Sequence, residues 1–472
     1  MGMRRAGSVA LLGLFLLLPA QIRAADTPVV GTLPYATRTR AYSGYSGGVR
    51  GDARTVGMAG ATVGLADTFV AAGDNPAGLA LALSLGDTHA STNRIHDGQL
   101  QDTRAAIQAS SLGAALAIDR FGLSLGLTNI WDEGQFYRIG ADPTPQWIES
   151  YVREYRIGGA YRLHDRLSLG AQLRFASLIQ GLGPEEGADA NPTATDSALG
   201  LGLGMLYRLP KQRILLGASW SSSIRMDASG AVPSTFSALP GYAQPVLVPS
   251  RFSIGAGYVP NRLLRADFTI QRVEATQGAA LLGDQSRSAG SKPTIEPHLG
   301  FAYTFADFKP IRGLFFGGTY LQPSRIQDQP ARLHVTFGAE LKWSFLNFGL
   351  GLDRASSYDN YLASVGVDPF RVMELLDFIP RSTPPEPRGF LANPWHESDE
   401  GLAPHLRNSS KPDAAPAVDP FEAGRQLPKK IEKRVKSFTP GQVIETLQGI
   451  PGAIQDDIED VKKTLKKQER RR

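Results

Sequence analysis

Two histidines that stand near glutamates are the residues in this chain whose types could perform chemistry. His298 follows Glu296 closely, and His334 precedes Glu340. A histidine that is oriented by a carboxylate can activate a serine as the nucleophile of a hydrolase. Such a triad needs three side chains in contact, and the spacing of these residues does not demand it. A network of paired charges explains them as well, so we predict no catalytic residues and no enzyme activity.

The histidines belong to two segments in which apolar and polar residues alternate. Residues 295–305 place apolar side chains at every second position, with Glu296 and His298 between them, and residues 332–343 repeat the pattern around His334. A period of two puts the apolar side chains on one face of a β-strand and the polar ones on the other. This pattern indicates strands of a transmembrane barrel, with lipid outside and a polar lumen inside. We therefore predict that both histidines face the lumen.

About fourteen segments of this kind lie between residues 86 and 370, and short and long connections alternate between them. The predicted short turns are residues 119–120, 164–165, 210–212 and 261–262, and the predicted long connections are residues 131–147, 179–196, 225–245 and 274–293. This rhythm is typical of an outer-membrane barrel, with periplasmic turns and extracellular loops. The sequence therefore predicts an all-β fold, a transmembrane antiparallel β-barrel of about fourteen strands over residues 86–370.

Composition agrees with a membrane barrel and excludes some kinds of site. The chain has 472 residues, a formal net charge of +5 and no cysteine, and its mean hydropathy is −0.17. That value suits a barrel because each strand gives half of its positions to the lumen. The lack of cysteine excludes thiolate metal sites and thiol nucleophiles. We predict neither a metal site nor a cofactor.

The N-terminus has the pattern of an export signal. Arg4 and Arg5 precede an apolar run at residues 9–20, and Ile22-Arg23-Ala24 follow it before the expected cleavage site. The run is too short to span a bilayer as a helix, which takes about twenty residues. We therefore predict a secretory signal peptide at residues 1–24, and we expect the mature chain in the bacterial outer membrane.

The next region, residues 25–85, is rich in glycine and alanine and does not alternate. Asn75 can cap a short helix that Pro76 begins, because proline lacks only an amide hydrogen that would be unpaired there. Small residues let a backbone lie close to a neighbouring wall. We predict that this region is an N-terminal plug, or hatch, inside the barrel. The residues expected to position the plug and any ligand are Gly57, Gly60, Asp67, Asn75, Pro76, Ala77 and Gly78.

The chain after the barrel has two predicted parts. Residues 371–420 are rich in proline and charge, a composition typical of an extended linker. Within residues 421–472, apolar residues recur every three or four positions from Ile454 to Leu465, which predicts an amphipathic helix. An even number of strands returns the chain to the periplasm. We predict a periplasmic helical tail whose residues 440–472 are suited to dock a protein partner, and no nucleic-acid partner.

Two motifs in the predicted plug carry a resemblance to a known family. They are Gly57-Met58-Ala59-Gly60-Ala61, followed by Asp67, and Asn75-Pro76-Ala77-Gly78-Leu79. This arrangement resembles the long-chain fatty acid transporter (FadL) and toluene-transporter family of outer membranes, together with its PorV-like relatives in secretion machinery. The chain departs from the family pattern in two places. Ala59 stands where a second glycine is common, and the typical fatty acid transporter ends with its last strand.

The resemblance implies passive uptake of hydrophobic compounds, fatty-acid-like or aromatic, across the outer membrane. Its implied partners are outer-membrane lipid and a hydrophobic small molecule. The alternative is a non-transporting structural or assembly barrel whose periplasmic tail docks a cell-envelope machine for secretion, motility or envelope attachment. The C-terminal extension is the feature that separates the two functions, since a simple channel would not need it.

Overall fold

The computed structural model describes the barrel, a segment before it and a short part of the chain after it. The described residues are 31–32, 46–81, 86–97, 108–118, 120–138, 145–164, 166–183, 191–209, 212–226, 246–275, 292–308, 310–325, 330–375, 389–390 and 393. The predicted signal peptide, most of the predicted linker and the predicted helical tail lie outside these residues.

Fourteen strands form the wall of the molecule, and we number them in chain order. They are β1 (Gly86–Asp97), β2 (Gln108–Ile118), β3 (Phe121–Arg138), β4 (Pro145–His164), β5 (Leu167–Gly183), β6 (Asn191–Arg208), β7 (Ile214–Ser221), β8 (Arg251–Tyr258), β9 (Leu264–Val273), β10 (Thr294–Phe308), β11 (Ile311–Gln322), β12 (Arg332–Trp343), β13 (Leu346–Ala355) and β14 (Tyr358–Val367). Each strand pairs antiparallel with the next, and β14 closes the ring by pairing with β1, where Tyr358 lies opposite Asp97. The predicted fold class and strand number are confirmed.

The side chains of the strands alternate between the lumen and the outside, as predicted. On β10, Glu296 and His298 are 2% and 6% exposed, whereas Leu299 and Phe301 are each 50% exposed. His334 on β12 is also buried. Further large apolar side chains that project outward are Leu112, Leu123, Ile157, Leu173, Leu199, Leu216, Ile254, Phe268, Leu333, Leu350 and Tyr361. An apolar outer face around a polar interior is the lipid-facing surface of a membrane barrel.

Two of the predicted long connections are largely strand, which corrects the boundaries taken from the sequence. β3 continues to Arg138 and β4 begins at Pro145, while β5 continues to Gly183 and β6 begins at Asn191. β4 alone has 20 residues, about twice the length that crosses a bilayer. The backbone ladder of β3 to β6 therefore continues through much of the two predicted connections.

The four predicted short turns do join consecutive strands, namely β2 to β3, β4 to β5, β6 to β7 and β8 to β9. The alternation of short and long connections nevertheless fails at the last pair of strands. Ser356 and Ser357 form a turn between β13 and β14 at the end of the barrel that carries the long connections. Ser357 has a φ of +59°, a left-handed conformation that tight hairpin turns require. A turn of two residues does not require a long polar stretch in the sequence, so the predicted alternation did not include it.

Residues 46–81, which we call the inner segment, lie inside the barrel. They form helix α1 (Ala53–Gly57), helix α2 (Phe69–Asp74) and a 3-10 helix (Pro76–Leu81). Every strand from β1 to β14 contacts the inner segment. One contacting position on each strand, in order, is Ser91, Gly113, Gly122, Gly158, Gly170, Gly204, Gly217, Gly257, Arg265, Gly300, Gly318, Gly338, Gly349 and Asn360. Because the contacts come from every strand, the inner segment extends across the lumen at the height where it lies.

The described residues after β14 lie at the end of the barrel that carries the short turns. Asp368 caps helix α3 (Pro369–Leu375) by accepting a hydrogen bond from the Arg371 N–H at 3.0 Å. Gly389–Phe390 then pairs antiparallel with the last residues of β10, next to the turn into β11. Among the described residues, none of the helices combines the length and the apolar composition that crossing a bilayer would take.

Candidate functional site

Asn75 joins the inner segment to the barrel wall. Its side chain is fully buried, and its Nδ2 donates hydrogen bonds to the Val63 carbonyl at 2.9 Å and to the Met205 carbonyl of β6 at 3.1 Å. Its Oδ1 accepts a hydrogen bond from the Ala77 N–H at 3.3 Å. The side chain therefore caps the 3-10 helix, as an asparagine before proline is suited to do, and also fixes that helix against a strand.

The residues after Asn75 press directly on the wall and on the rest of the inner segment. The Ala77 carbonyl accepts a hydrogen bond from the Ser168 hydroxyl of β5 at 2.6 Å. A side chain at Gly170 would overlap Pro76, and one at Gly78 would overlap Ala66. Glycine is needed at both positions because two backbones approach within contact distance.

Asp67 links helix α1 to the wall through two ion pairs. Its carboxylate lies 2.5 Å from the Arg54 guanidinium of α1 and 2.7 Å from the Arg265 guanidinium of β9. Burial alone would raise the pKa of Asp67, but the two guanidinium groups outweigh that effect and hold the pKa below its usual range. Asp67 is thus a charged contact between the inner segment and β9.

Gly57 and Gly60 allow the turn after α1 to lie against β10, β11 and β12. The Gly57 carbonyl accepts a hydrogen bond from the Thr336 hydroxyl at 2.8 Å, and a side chain there would meet Phe316 at 2.6 Å. Gly60 has a φ of +70°, and Ala59 before it has a φ of +59°. Ala59, where the family pattern has glycine, therefore adopts a left-handed conformation that glycine accepts without strain.

A polar cavity of about 180 Å³ lies beyond the inner segment, toward the end of the barrel with the long connections. Of the seven residues singled out from the sequence, Gly60 alone lines it. The guanidinium groups in the lining belong to Arg50, Arg156, Arg174 and Arg251, and the carboxylates at the lining or directly behind it belong to Asp74, Glu154 and Glu296. The cavity is thus polar and charged, not the apolar pocket that a plain hydrocarbon would favour.

Most of these charges were missed from the sequence, although a signal for them was present. Glu154 is fully buried and pairs with Arg156 and with Arg174, whose Nη2 lies 2.6 Å from the carboxylate. On β4 the two charges alternate with Tyr155 and Ile157, which are 43% and 60% exposed. A period of two therefore assigns Glu154 and Arg156 to the lumen face.

His334 lies in a buried network, but not beside the glutamate that its sequence position suggested. Its Nδ1 lies 2.8 Å from Asp353 Oδ1, and its Nε2 lies 3.1 Å from Gln322 Oε1. Tyr320 donates its hydroxyl hydrogen to the other oxygen of Asp353 at 2.7 Å. Glu340 instead pairs with a lysine on its own strand. Glutamine occupies the place that a nucleophile would need beside the imidazole.

His298 also faces the lumen, where it contacts the inner segment. Its Nδ1 lies 2.6 Å from the Ala59 carbonyl, so that this nitrogen carries the hydrogen and donates it. The ring stacks on Tyr320, with ring centroids 5.1 Å apart. Within the part of the chain that the structure describes, no group of three or more His, Asp and Glu side chains is arranged to hold a metal ion.

A closed antiparallel barrel with an apolar outer face, a polar interior and short turns at one end has the architecture of outer-membrane β-barrel proteins.

No protein-family model matches the chain, and no curated protein matches it. Among solved structures, it is similar to a FadL homologue from Pseudomonas aeruginosa, with 12% identity and a TM-score of 0.47 over 68% of this chain and 100% of the other. It is also similar to the CymD monoaromatic hydrocarbon channel, with 13% identity and a TM-score of 0.45 over 68% of this chain and 96% of the other. A third is the toluene transporter TodX of P. putida, with 15% identity and a TM-score of 0.44 over 68% and 98% of the two chains.

Proposed function

We propose that the protein is an outer-membrane channel for the passive uptake of hydrophobic compounds, fatty-acid-like or aromatic, and that the inner segment is its plug. The observation that carries this proposal is the contact of the inner segment with all fourteen strands, together with a cavity on the side of the long connections. A compound that enters from the outside would meet the cavity first and the plug second.

The plug is proposed to hold its position through the contacts of Asn75, Ala77 and Asp67. Each of these residues bonds a different part of the wall, on β6, β5 and β9 respectively. Passage to the periplasm requires these contacts, or some of them, to rearrange. Because a hydrogen bond that is lost inside a protein costs roughly 1–3 kcal/mol when its partner stays unpaired, we expect a local rearrangement and not removal of the whole plug.

The motif resemblance supports a hydrophobic compound as the ligand. The lining of the cavity adds a requirement for a polar group on that compound. Guanidinium and carboxylate groups line the cavity, and a wholly apolar molecule there would leave them desolvated and unpaired. The compound that suits this lumen therefore has an apolar body and a polar group, as a fatty acid or a substituted aromatic compound has.

Flux into proteoliposomes tests the proposal. Purified full-length protein should speed the entry of fatty acids or aromatic compounds, and the rate should saturate with concentration. Protein-free liposomes and liposomes with an unrelated outer-membrane barrel serve as controls. A rate equal to that of the controls across fatty acids, alkanes and aromatics would contradict uptake and would favour the structural or assembly function.

We also propose that the C-terminal extension lies in the periplasm and binds a protein there. Support comes from the described part of the extension, since α3 follows β14 directly and Gly389–Phe390 pairs beside a short turn. Removal of residues 419–472 should leave the heat-modifiable migration of the barrel intact but abolish recovery of a periplasmic partner. Recovery of every partner by the truncated protein would contradict this role.

A further inference from the structure

We infer that an acidic run in the C-terminal extension, Glu397-Ser398-Asp399-Glu400, binds a basic sector of the barrel at the end that carries the short turns. The sector consists of the turns between β2 and β3, between β4 and β5 and between β6 and β7, with the strand ends beside them. The extension would thereby cross part of the mouth of the barrel beneath the inner segment. This inference concerns the barrel and its own chain, and it does not depend on the proposed uptake function.

The basic sector is defined by its charge. Residues 117–124, 159–170 and 204–218, which include the three turns, contain six arginines and lysines but two aspartates, so four positive charges are in excess. The cations are Arg120, Arg162, Arg166, Arg208, Lys211 and Arg213, and the aspartates are Asp119 and Asp165. Arginine and lysine keep their charge at neutral pH, so the excess persists under physiological conditions.

The remaining strand ends and turns on the same side of the barrel are balanced. Together with the inner segment they contribute seven cations, Arg54, Arg262, Arg265, Lys309, Arg312, Lys342 and Arg371, and seven carboxylates, Asp67, Asp87, Asp267, Asp307, Glu340, Asp368 and Glu374. Several of these groups form ion pairs, as Asp67 does with Arg54 and Arg265, and Asp307 with Arg262. The excess is therefore confined to one part of the mouth.

Backbone hydrogen bonds hold the three turns of the basic sector side by side. The Arg162 N–H donates to the Arg120 carbonyl, and the Arg208 N–H donates to the Arg166 carbonyl, each at 2.8 Å. Cationic residues on adjacent strands repel one another. A segment that carries several negative charges would offset this repulsion.

The basic sector begins directly below the inner segment. Arg162 lies opposite Ser168 on β5, and the Ser168 hydroxyl donates a hydrogen bond to the Ala77 carbonyl. Tyr161 and Leu163 on either side of Arg162 are 37% and 49% exposed on the outer face, so the period of two directs Arg162 to the lumen. A segment bound here would lie between the inner segment and the solvent at the mouth.

The C-terminal extension is fixed to the barrel shortly before the acidic run. β9 begins at Leu264 opposite Tyr303, so β10 continues past β9 to Phe308 and has an open edge there. Gly389–Phe390 pairs with this edge, and the Phe390 ring packs on the Phe308 ring with centroids 4.6 Å apart. The acidic run starts at Glu397, seven residues after Phe390, so it is held close to the mouth.

The acidic run can reach the basic sector from this anchor. Fourteen strands that lie about 4.8 Å apart and tilt by about 40° form a ring roughly 28 Å across. The turn between β6 and β7 is three to four strands from β10 around this ring, a straight distance of roughly 17–22 Å. The seven residues from Phe390 to Glu397 span up to about 25 Å when extended. Asp399 and Glu400 can reach farther, toward the turn between β4 and β5.

The charge of the extension complements the sector. Residues 389–406 contain three carboxylates and neither lysine nor arginine, so this stretch opposes most of the excess positive charge. A single exposed ion pair stabilises little, but several charges that meet as a network stabilise more. An extended chain is only about 5 Å wide, so it narrows the mouth and does not seal it. It also determines that residues 401–472 leave the barrel beside the basic sector.

Disulfide cross-linking tests the inference, since the chain has no cysteine of its own. The double variant Ser398→Cys with Gln212→Cys joins the acidic run to the turn between β6 and β7, and it should cross-link under mild oxidation of the full-length protein in phosphatidylcholine nanodiscs. The matched control pairs Ser398→Cys with Ser344→Cys, in the turn between β12 and β13, which lies closer to β10 around the ring. The control pair should cross-link at least about fivefold more slowly, because charge and not the tether directs the run.

Neutralising the acidic run should remove this preference. Glu397→Gln, Asp399→Asn and Glu400→Gln together should slow the cross-link to Gln212→Cys by about fivefold or more, as should 1 M salt, which shortens the Debye length to about 3 Å. Asp456→Asn, Asp457→Asn and Glu459→Gln remove the same charge farther along the extension and should leave the rate unchanged. On the barrel side, Arg166→Gln with Lys211→Gln should slow it, with retained heat-modifiable migration as the measure of folding.

Three results would overturn the inference. The first is a Ser398–Gln212 cross-link that forms no faster than the control cross-link to position 344. The second is a neutralised acidic run that cross-links as fast as the parent, since the tether alone would then explain the contact. The third is a cross-link that forms in phosphatidylcholine nanodiscs but not in phosphatidylglycerol nanodiscs, because lipid head groups would then occupy the basic sector in an anionic membrane. The neutralised run lies outside the barrel strands, so a folding failure of the barrel variant leaves the test decisive.

Discussion

Ala59 and Gly60 show how single residues adapt the inner segment to its place in the lumen. Both residues have positive φ angles, of +59° and +70°, and together they turn the chain after α1 so that the Ala59 carbonyl reaches His298. The sequence alone marks Ala59 as a departure from the family pattern, but the cost of that departure is visible only in its backbone angle. Likewise, Asn75 is recognisable as a helix cap, whereas its bond to Met205 joins residues 130 positions apart.

Ala59→Gly should stabilise the protein. A non-glycine residue in the left-handed region costs roughly 1–2 kcal/mol, and the greater freedom of glycine in the unfolded chain cancels part of the gain, so we expect a net gain of about 1 kcal/mol or less. The temperature at which heat-modifiable migration is lost should rise. Gly60→Ala should lower it, because its new Cβ would meet Val49 at 2.9 Å. An unchanged or lower temperature for Ala59→Gly would contradict the strain.

Asn75→Asp should destabilise the inner segment more than Asn75→Ala does. Aspartate has the same shape but replaces the Nδ2 donor with an oxygen, which would face the carbonyls of Val63 and Met205. A buried charge that faces two acceptors costs more than the loss of the hydrogen bonds, which is roughly 1–3 kcal/mol. Limited proteolysis of the folded protein should cut the inner segment fastest in Asn75→Asp. Equal protection of both variants would show that Asn75 does not fix the segment.

At the scale of elements, the strands could be predicted because their alternation is a local property of the sequence. Glu296 and His298 on β10 and His334 on β12 face the lumen as the period of two requires. The ends of β3 to β6 could not be predicted, because they depend on how far the neighbouring strand continues to pair. The turn at Ser356 and Ser357 was missed because two serines give a weak turn signal.

The direction of the barrel in the membrane can be tested with single cysteines, since the chain has none of its own. Cysteines at Gly187, Ala231 and Gly283, which lie in the long connections, should react with an impermeant maleimide on intact cells. A cysteine at Gln212, in the short turn between β6 and β7, should react only after the outer membrane is opened. Labelling at Gln212 with protection at the other three positions would invert the predicted orientation.

At the scale of the whole molecule, the closed barrel follows from the strand pattern, but the contents of its lumen do not. The pairing of Glu154 with Arg174, and the bond between Asp67 and Arg265, join strands and segments that are distant in the chain. Which of these residues meet depends on the number of strands and on the position of the inner segment. The sequence therefore led to a prediction for the residues that position the inner segment, and it led to none for the charged cavity beside it.

The conductance of planar bilayers tests the central claim, that the inner segment closes the lumen. The full-length protein should insert without a steady open-pore current, because its inner segment contacts every strand of the wall. A variant that lacks residues 26–80 should still insert and should conduct small hydrophilic ions as an open pore. A steady open-pore current from the full-length protein, or an equally closed deletion variant with retained heat-modifiable migration, would contradict the claim.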